Sequence, residues 1–321
     1  MEHDLLLQGC CEMGRQLLRC GAEIPRAEDT VRRLLAAYGL TGEVFAIPNC
    51  VWVSAPDPSG RSHTVMRRVP PSSVDIEGIE RFNDLSRHLC AAPPEDPAEI
   101  LRLCRETAAG LRRYPKALCL LGYFVGAFFF GLFFSGGWAE GAAAGLAGLA
   151  CGVCLTALDR LGSNPFLSTM ASAFVLGASA CGLGALGAPI SLDITVAGSI
   201  MVLVPGLVFT NFMSDLLTGD LVAGLATFAR AVLSAGAIAL GAGTAMALFQ
   251  GLEPPPGGGP VEYAPALYCL FAFVACMGFC LPYNAQGLGA VLCGLGGALG
   301  WAVYLGAMSL ADNPFAASLL A

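Results

Sequence analysis

The chain has 321 residues, is 55% hydrophobic and carries a formal net charge of -7. Its mean hydropathy is +0.66. An acidic, apolar chain of this kind excludes a basic nucleic-acid footprint and argues against a protein dissolved along its whole length. The charge is unevenly placed. Of the 17 Lys and Arg residues, 15 lie at or before Lys116, and only Arg160 and Arg230 follow. Residues 1–116 read as an ordinary α+β domain, and residues 117–321 as apolar runs of about 20 residues, the length a bilayer core demands.

In chain order, helices are expected over 4–19, 25–38, 75–91 and 96–112. Between the second and third, "EVFAI", "CVWVS" and "RSHTVMRRV" read as strands separated by Pro48-Asn49 and the turn "DPSG". The stretch "CGAEIPRAEDTVRRLLAAYGL" contains a helix start: Gly21 closes the first helix and Pro25 suits the opening turn of the next. Glu28–Arg32 and Asp29–Arg33 are spaced i,i+4, which reads as a solvated face. Glu23 precedes the helix without a local partner at that spacing, which makes it a candidate for gating or coupling. The first 20 residues are amphipathic and lack the apolar core of a secretory signal.

About seven apolar segments follow, near 117–134, 138–158, 168–187, 192–212, 220–248, 263–281 and 286–308. The expected division is a cytosolic α+β domain over 1–116 and five membrane helices over 117–250. A Pro/Gly-rich external linker over 251–262 and the start of a second, incomplete membrane domain over 263–321 complete it. "GAAAGLAG" at 141–148 repeats small residues at the spacing that lets helices approach closely in lipid. Arg112, Arg113 and Lys116 precede the first segment, which predicts a cytoplasmic N-terminal domain. The 14 cysteines are scattered and many lie in apolar runs, where a thiol packs as a small side chain. Cys151-Gly-Val-Cys154 lacks the context of a redox or zinc pair.

The segment "MVLVPGLVFTNFMSDLLTGD" at 201–220 carries the most chemistry. Pro205 removes a backbone donor and Gly206 loosens the chain, so a helix broken there frees polar backbone. Such breaks are tolerated where they meet protein or a water-filled cavity, and they often build substrate sites. Pro205, Gly206, Asn211 and Asp215 are therefore the candidate substrate-binding residues. Arg230, inside the fifth segment, either snorkels to the interface or faces a polar interior where it meets Asp215 or an anionic substrate group. Asp193, near Ser191 and Thr195, reads as an outer gate or a helix-start residue. Three histidines make no metal cluster, and the chain has no G-x-S-x-G, H-E-x-x-H or P-loop. No catalytic residue, metal or cofactor is expected.

"GAEIPRAEDTVRRLLAAYG", "RYPK" at 113–116, "GGWAEGA" at 136–142 and "VLVPGLVFTNFMSDLLTGDLVAGL" at 202–225 resemble the bacterial threonine/serine exporter family, in the same order. Residues 1–250 also resemble the large subunit of the related two-component dicarboxylate (succinate) exporters, and 272–305 the start of their small subunit. The resemblance implies a secondary transporter in the bacterial inner membrane. It would export threonine, serine or related small carboxylates on the proton gradient, with a small-subunit partner or a homo-oligomer as its assembly. The competing expectations are a non-transporting assembly or regulatory subunit and a membrane-anchored cytosolic hydrolase.

Overall fold

The computed structural model describes residues 2–70, 74–250, 259–311 and 313–320. Packing divides the chain into two compact units, Met1–Arg113 with Gly206–Ala231, and Tyr114–Pro205 with Val232–Ala321. The boundary between soluble and apolar composition is thus not the boundary of packing: Gly206–Ala231 groups with the charged N-terminal part.

The first unit opens with α1 (Glu2–Arg19) and α2 (Ile24–Ala37). Gly21 separates them at φ 89°, a left-handed conformation that glycine adopts at no steric cost. An antiparallel sheet follows in the order β1 (Glu43–Ile47), β2 (Cys50–Pro56) and β3 (Ser62–Arg68). Val44 pairs with Val53 and Val53 with Val65, so apolar side chains line up on one face, against α1 and α2. Helices α3 (Ile76–Ala91) and α4 (Ala98–Ala109) complete this part. Asp75 caps α3, its Oδ1 accepting from the Gly78 amide at 3.0 Å.

The core holds Leu7, Met13, Leu17, Val31, Leu34, Leu35, Phe82 and Ile100, all fully enclosed. Truncating Phe82 to Ala would cost about 3–5 kcal/mol, the usual range for an enclosed aromatic. The solvated-face reading holds for Asp29, paired with Arg33 at 2.8 Å and half-exposed. It fails for Glu28, which is 6% exposed. Its Oε2 still takes Arg32 at 2.5 Å, but its Oε1 turns inward to accept the Ala46 amide of β1 at 2.7 Å.

Helix α9 (Gly206–Leu217) and the start of α10 (Leu221–Leu248) form a hairpin in the first unit. Its turn has a Schellman pattern. The Asp220 amide bonds the Asp215 carbonyl at 2.9 Å, the Gly219 amide bonds the Leu216 carbonyl at 3.1 Å, and Gly219 sits at φ 87°. Phe212 and Phe228 pack across the hairpin with ring centroids 4.9 Å apart.

The second unit contains α5 (Lys116–Phe133), α6 (Trp138–Arg160), α7 (Pro165–Ala185), α8 (Leu192–Ile200), the rest of α10, α11 (Pro265–Cys280), α12 (Gly287–Ala311) and α13 (Pro314–Leu320). The small residues of α6 pack on α5: a Cβ on Gly148 would meet Ala127 Cβ at 2.5 Å and one on Gly145 the Phe124 ring at 2.8 Å. On the other flank, Gly198 of α8 lies so close to Gly131 that a Cβ would meet its backbone at 2.6 Å. Small residues thus convert into backbone proximity, the main source of packing energy between helices in lipid.

Five helices among the described residues are long and apolar enough to cross a membrane: α5, α6, α7, α10 and α12. The expectation of about seven differs at two places. The fourth expected span is broken into α8 and α9, because Val204 precedes Pro205 and is held out of the helical region, and Pro205 has no amide to donate. The sixth is α11, which is apolar but has only 16 residues. Residues 251–258 of the expected linker lie outside the described residues.

Candidate functional site

The candidate site is built by α9 and α10 against the loop that joins α1 to α2. A cavity of about 110 Å³ is walled by Gly21, Asn211, Asp215, Thr227 and Arg230, with Leu18, Ile24 and Leu207 among its apolar lining. That space holds several waters or one small polar solute. All of these residues belong to the first unit.

Asp215 is the only buried residue of α9 and is 1% exposed. The Schellman turn brings α10 back beside α9 and sets Thr227 against this carboxylate. Thr227 Oγ1 lies 3.1 Å from Asp215 Oδ2, to which it donates, and 2.9 Å from the Ala223 carbonyl, which competes for the same proton. Asp215 Oδ1 is buried with no hydrogen-bond partner. Burial pushes the Asp215 carboxyl above its ordinary range. The Thr227 hydrogen bond opposes that rise, and the negative charges of Asp220 and Glu23 add to it. A carboxylate oxygen left bare in an enclosed wall is costly unless it gains a proton or a cationic partner.

Asn211 lies one helical turn before Asp215, and its Nδ2 donates to the Gly21 carbonyl at 3.3 Å. This bond ties α9 to the turn between α1 and α2. Arg230 lies about one turn beyond Thr227 on α10 and lines the same cavity. One partly open, mainly apolar cavity is therefore lined by residues bearing a carboxylate, a guanidinium, an amide and a hydroxyl.

The other candidates lie elsewhere. Pro205 and Gly206 mark the break between α8 and α9 but do not line the cavity. Gly206 has neither a left-handed φ nor a neighbour within 4 Å of an added Cβ, so no steric need fixes glycine there. Glu23 stands at the N-cap of α2 without a capping hydrogen bond. Its carboxylate lies 3.8 Å from Arg26 Nε, a half-exposed i,i+3 pairing one residue short of the i,i+4 spacing. Asp193 is exposed in the first turn of α8, where an acid complements the helix dipole. Thr227 and the Gly21 carbonyl were not singled out by sequence. A threonine in an apolar helix is an ordinary residue, and a backbone carbonyl leaves no mark in a sequence. Among the described residues no group of three or more His, Cys, Asp or Glu could hold a metal ion.

Five apolar helices of spanning length mark a multi-pass helical membrane protein, and α9, which follows the break at Pro205, lines a small cavity of mainly apolar wall with a few polar side chains. A model of the ThrE family, described as "Putative threonine/serine exporter", matches residues 8–249, and the chain belongs to that family. No curated protein and no solved structure matches the chain.

Proposed function

We propose that this protein exports small hydrophilic amino acids of the threonine/serine type from the bacterial cytoplasm, and that the cavity at Asp215 is its substrate site. The observation that carries the reading is one partly open cavity walled by both Asp215, whose buried Oδ1 has no hydrogen-bond partner, and Arg230. A zwitterion complements that pair. Its ammonium sits on Asp215 and its carboxylate on Arg230, while Asn211 and Thr227 take the polar side chain. A dicarboxylate would set a second negative charge against Asp215, which disfavours it.

Coupling to the proton gradient follows from the same oxygen. Asp215 Oδ1 accepts either a proton or the substrate ammonium, so protonation releases the substrate and substrate binding expels the proton. Pro205 and Gly206 provide the hinge and the freed backbone that let α9 move during that exchange. Glu23 biases the exchange through its field at Asp215. Asp193 has no part in binding. The excess of Lys and Arg up to Lys116 supports a cytoplasmic N-terminal domain and an inner-membrane location.

The test is uptake of labelled threonine, serine and succinate into inverted membrane vesicles, with and without a proton gradient. Gradient-dependent accumulation of threonine or serine by wild type, lost at least roughly tenfold in Asp215→Asn, is the expected result. Wild-type accumulation of succinate in preference to threonine would overturn the substrate assignment. Undiminished transport by Asp215→Asn, or by Pro205→Ala with Gly206→Leu, would overturn the site. A second arm co-expresses a small-subunit relative and asks whether transport depends on it.

A further inference from the structure

A second cavity, predominantly polar, lies within the first unit, about 440 Å³ in volume, between α1, β3 and α4. Four arginines line it (Arg15, Arg67, Arg68 and Arg105) against one carboxylate, Glu12. That carboxylate is already committed. Glu12 is 6% exposed, takes both Arg15 Nε at 2.9 Å and Arg15 Nη2 at 2.8 Å, and accepts from Gln16 Nε2 at 2.6 Å. The part-buried fork fixes Arg15 in one orientation and neutralises only Arg15. Among the described residues, Arg67, Arg68 and Arg105 have no carboxylate within ion-pair distance. Arg67 reaches only Gln8 Oε1, at a long 3.5 Å, and its Nε is buried without an acceptor.

The arrangement costs stability as it stands. Three like charges around one concavity repel one another, and a buried guanidinium N–H without an acceptor forfeits its hydration. Sequence reasons for it are absent too: Arg67 is on the side of β3 that faces α1, where Val65 precedes it and an apolar residue would pack. We propose that this cavity binds a phosphate group, with Arg67, Arg68 and Arg105 as its ligands and the Glu12–Arg15 fork as a rigid wall. Guanidinium groups match tetrahedral oxyanions through paired N–H donors, and several of them neutralise a multiply charged phosphate where one would not. No aromatic residue lines the space, so recognition is of the phosphate rather than of an attached base. The volume falls within the range of small-ligand pockets, which admits a phosphorylated metabolite, and the same chemistry would take a phospholipid headgroup. The site is separate from the cavity at Asp215 and stands without the export reading.

The test uses the full chain purified in an uncharged detergent. Inorganic pyrophosphate is titrated by calorimetry, succinate is titrated as a carboxylate control, and phosphatidylglycerol is added in mixed micelles as a lipid arm. Saturable pyrophosphate binding is expected. Its Kd should rise by at least roughly tenfold in Arg68→Ala with Arg105→Ala, since each lost charge-assisted bond weakens binding by about that factor. Both arginines are exposed, so this variant folds, checked by an unchanged melting temperature without ligand. Arg68→Lys with Arg105→Lys should retain part of the affinity, because charge survives and the fork does not. Phosphatidylglycerol binding that is lost in the alanine variant, with weak pyrophosphate binding, would assign the site to a lipid headgroup. Binding of neither probe, equal binding of succinate, or wild-type affinity in the alanine variant would overturn the proposal.

Discussion

Glu28 and Asp215 are both buried carboxylates in the first unit, and they differ in how their oxygens are satisfied. Each Glu28 oxygen has a partner: the Ala46 amide at 2.7 Å and Arg32 at 2.5 Å. Asp215 has one partner, Thr227, and one bare oxygen. Burial raises both carboxyl pKa values; at Glu28 the Ala46 bond counters it first, the negative charge of Asp220 adds to the rise, and Arg32 opposes it. A buried carboxylate with every oxygen answered ties secondary structures together. One with an oxygen to spare is poised for a proton or a cation. The α2–β1 junction is thus a structural tie, and the α9–α10 hairpin is where the proposed substrate site lies.

The largest effect should come from exchanging those roles by mutation. Asp215→Asn should abolish gradient-driven accumulation while leaving the protein folded, whereas Glu28→Ala should lower stability by about 1–3 kcal/mol, because the Ala46 amide loses its acceptor in a buried strand. Thermal denaturation in detergent, run beside vesicle transport on the same preparations, separates the two. A transport defect in Glu28→Ala without a stability defect would erase the distinction between the sites.

A smaller effect is expected in the pH dependence of stability. The folded Asp215 carboxyl titrates above its unfolded value. Its contribution is therefore fully present below the ordinary carboxylate range and is lost as pH rises through the raised folded value. Asp215→Asn should flatten the melting-temperature profile across that window. Thr227→Val removes the one hydrogen bond holding the carboxyl down, so the window should move to higher pH and the transport optimum with it. A profile in Thr227→Val that moves to lower pH would show that the hydroxyl does not stabilise the charged form.

The smallest effect should be at Glu23. Its pairing with Arg26 is half-exposed and long, worth a few tenths of a kcal/mol at most. Glu23→Gln should leave stability almost unchanged and shift the transport pH profile slightly downward, as one negative charge near Asp215 is removed. A stability loss above about 1 kcal/mol would make Glu23 structural rather than a modulator of the field.

Composition and periodicity by themselves determined most of the architecture. The concentration of 15 of the 17 Lys and Arg residues in the first 116 positions, the strand alternation around Val44, Val53 and Val65, and the apolar lengths of α5, α6, α7, α10 and α12 are local properties, and local properties are what a sequence records. The break at Pro205 was legible for the same reason, since a missing amide and a restricted neighbour act within one helical turn. Only the tertiary structure decided that α9 and the start of α10 pack with the charged N-terminal part. It also decided that Asn211 meets the Gly21 carbonyl, that Thr227 leaves half of Asp215 unanswered, and that Glu28 turns inward to a strand. These contacts join residues far apart in the chain through hydrogen bonds and burial. Which oxygen keeps a partner and which is left bare depends on packing geometry that no spacing of residue types encodes.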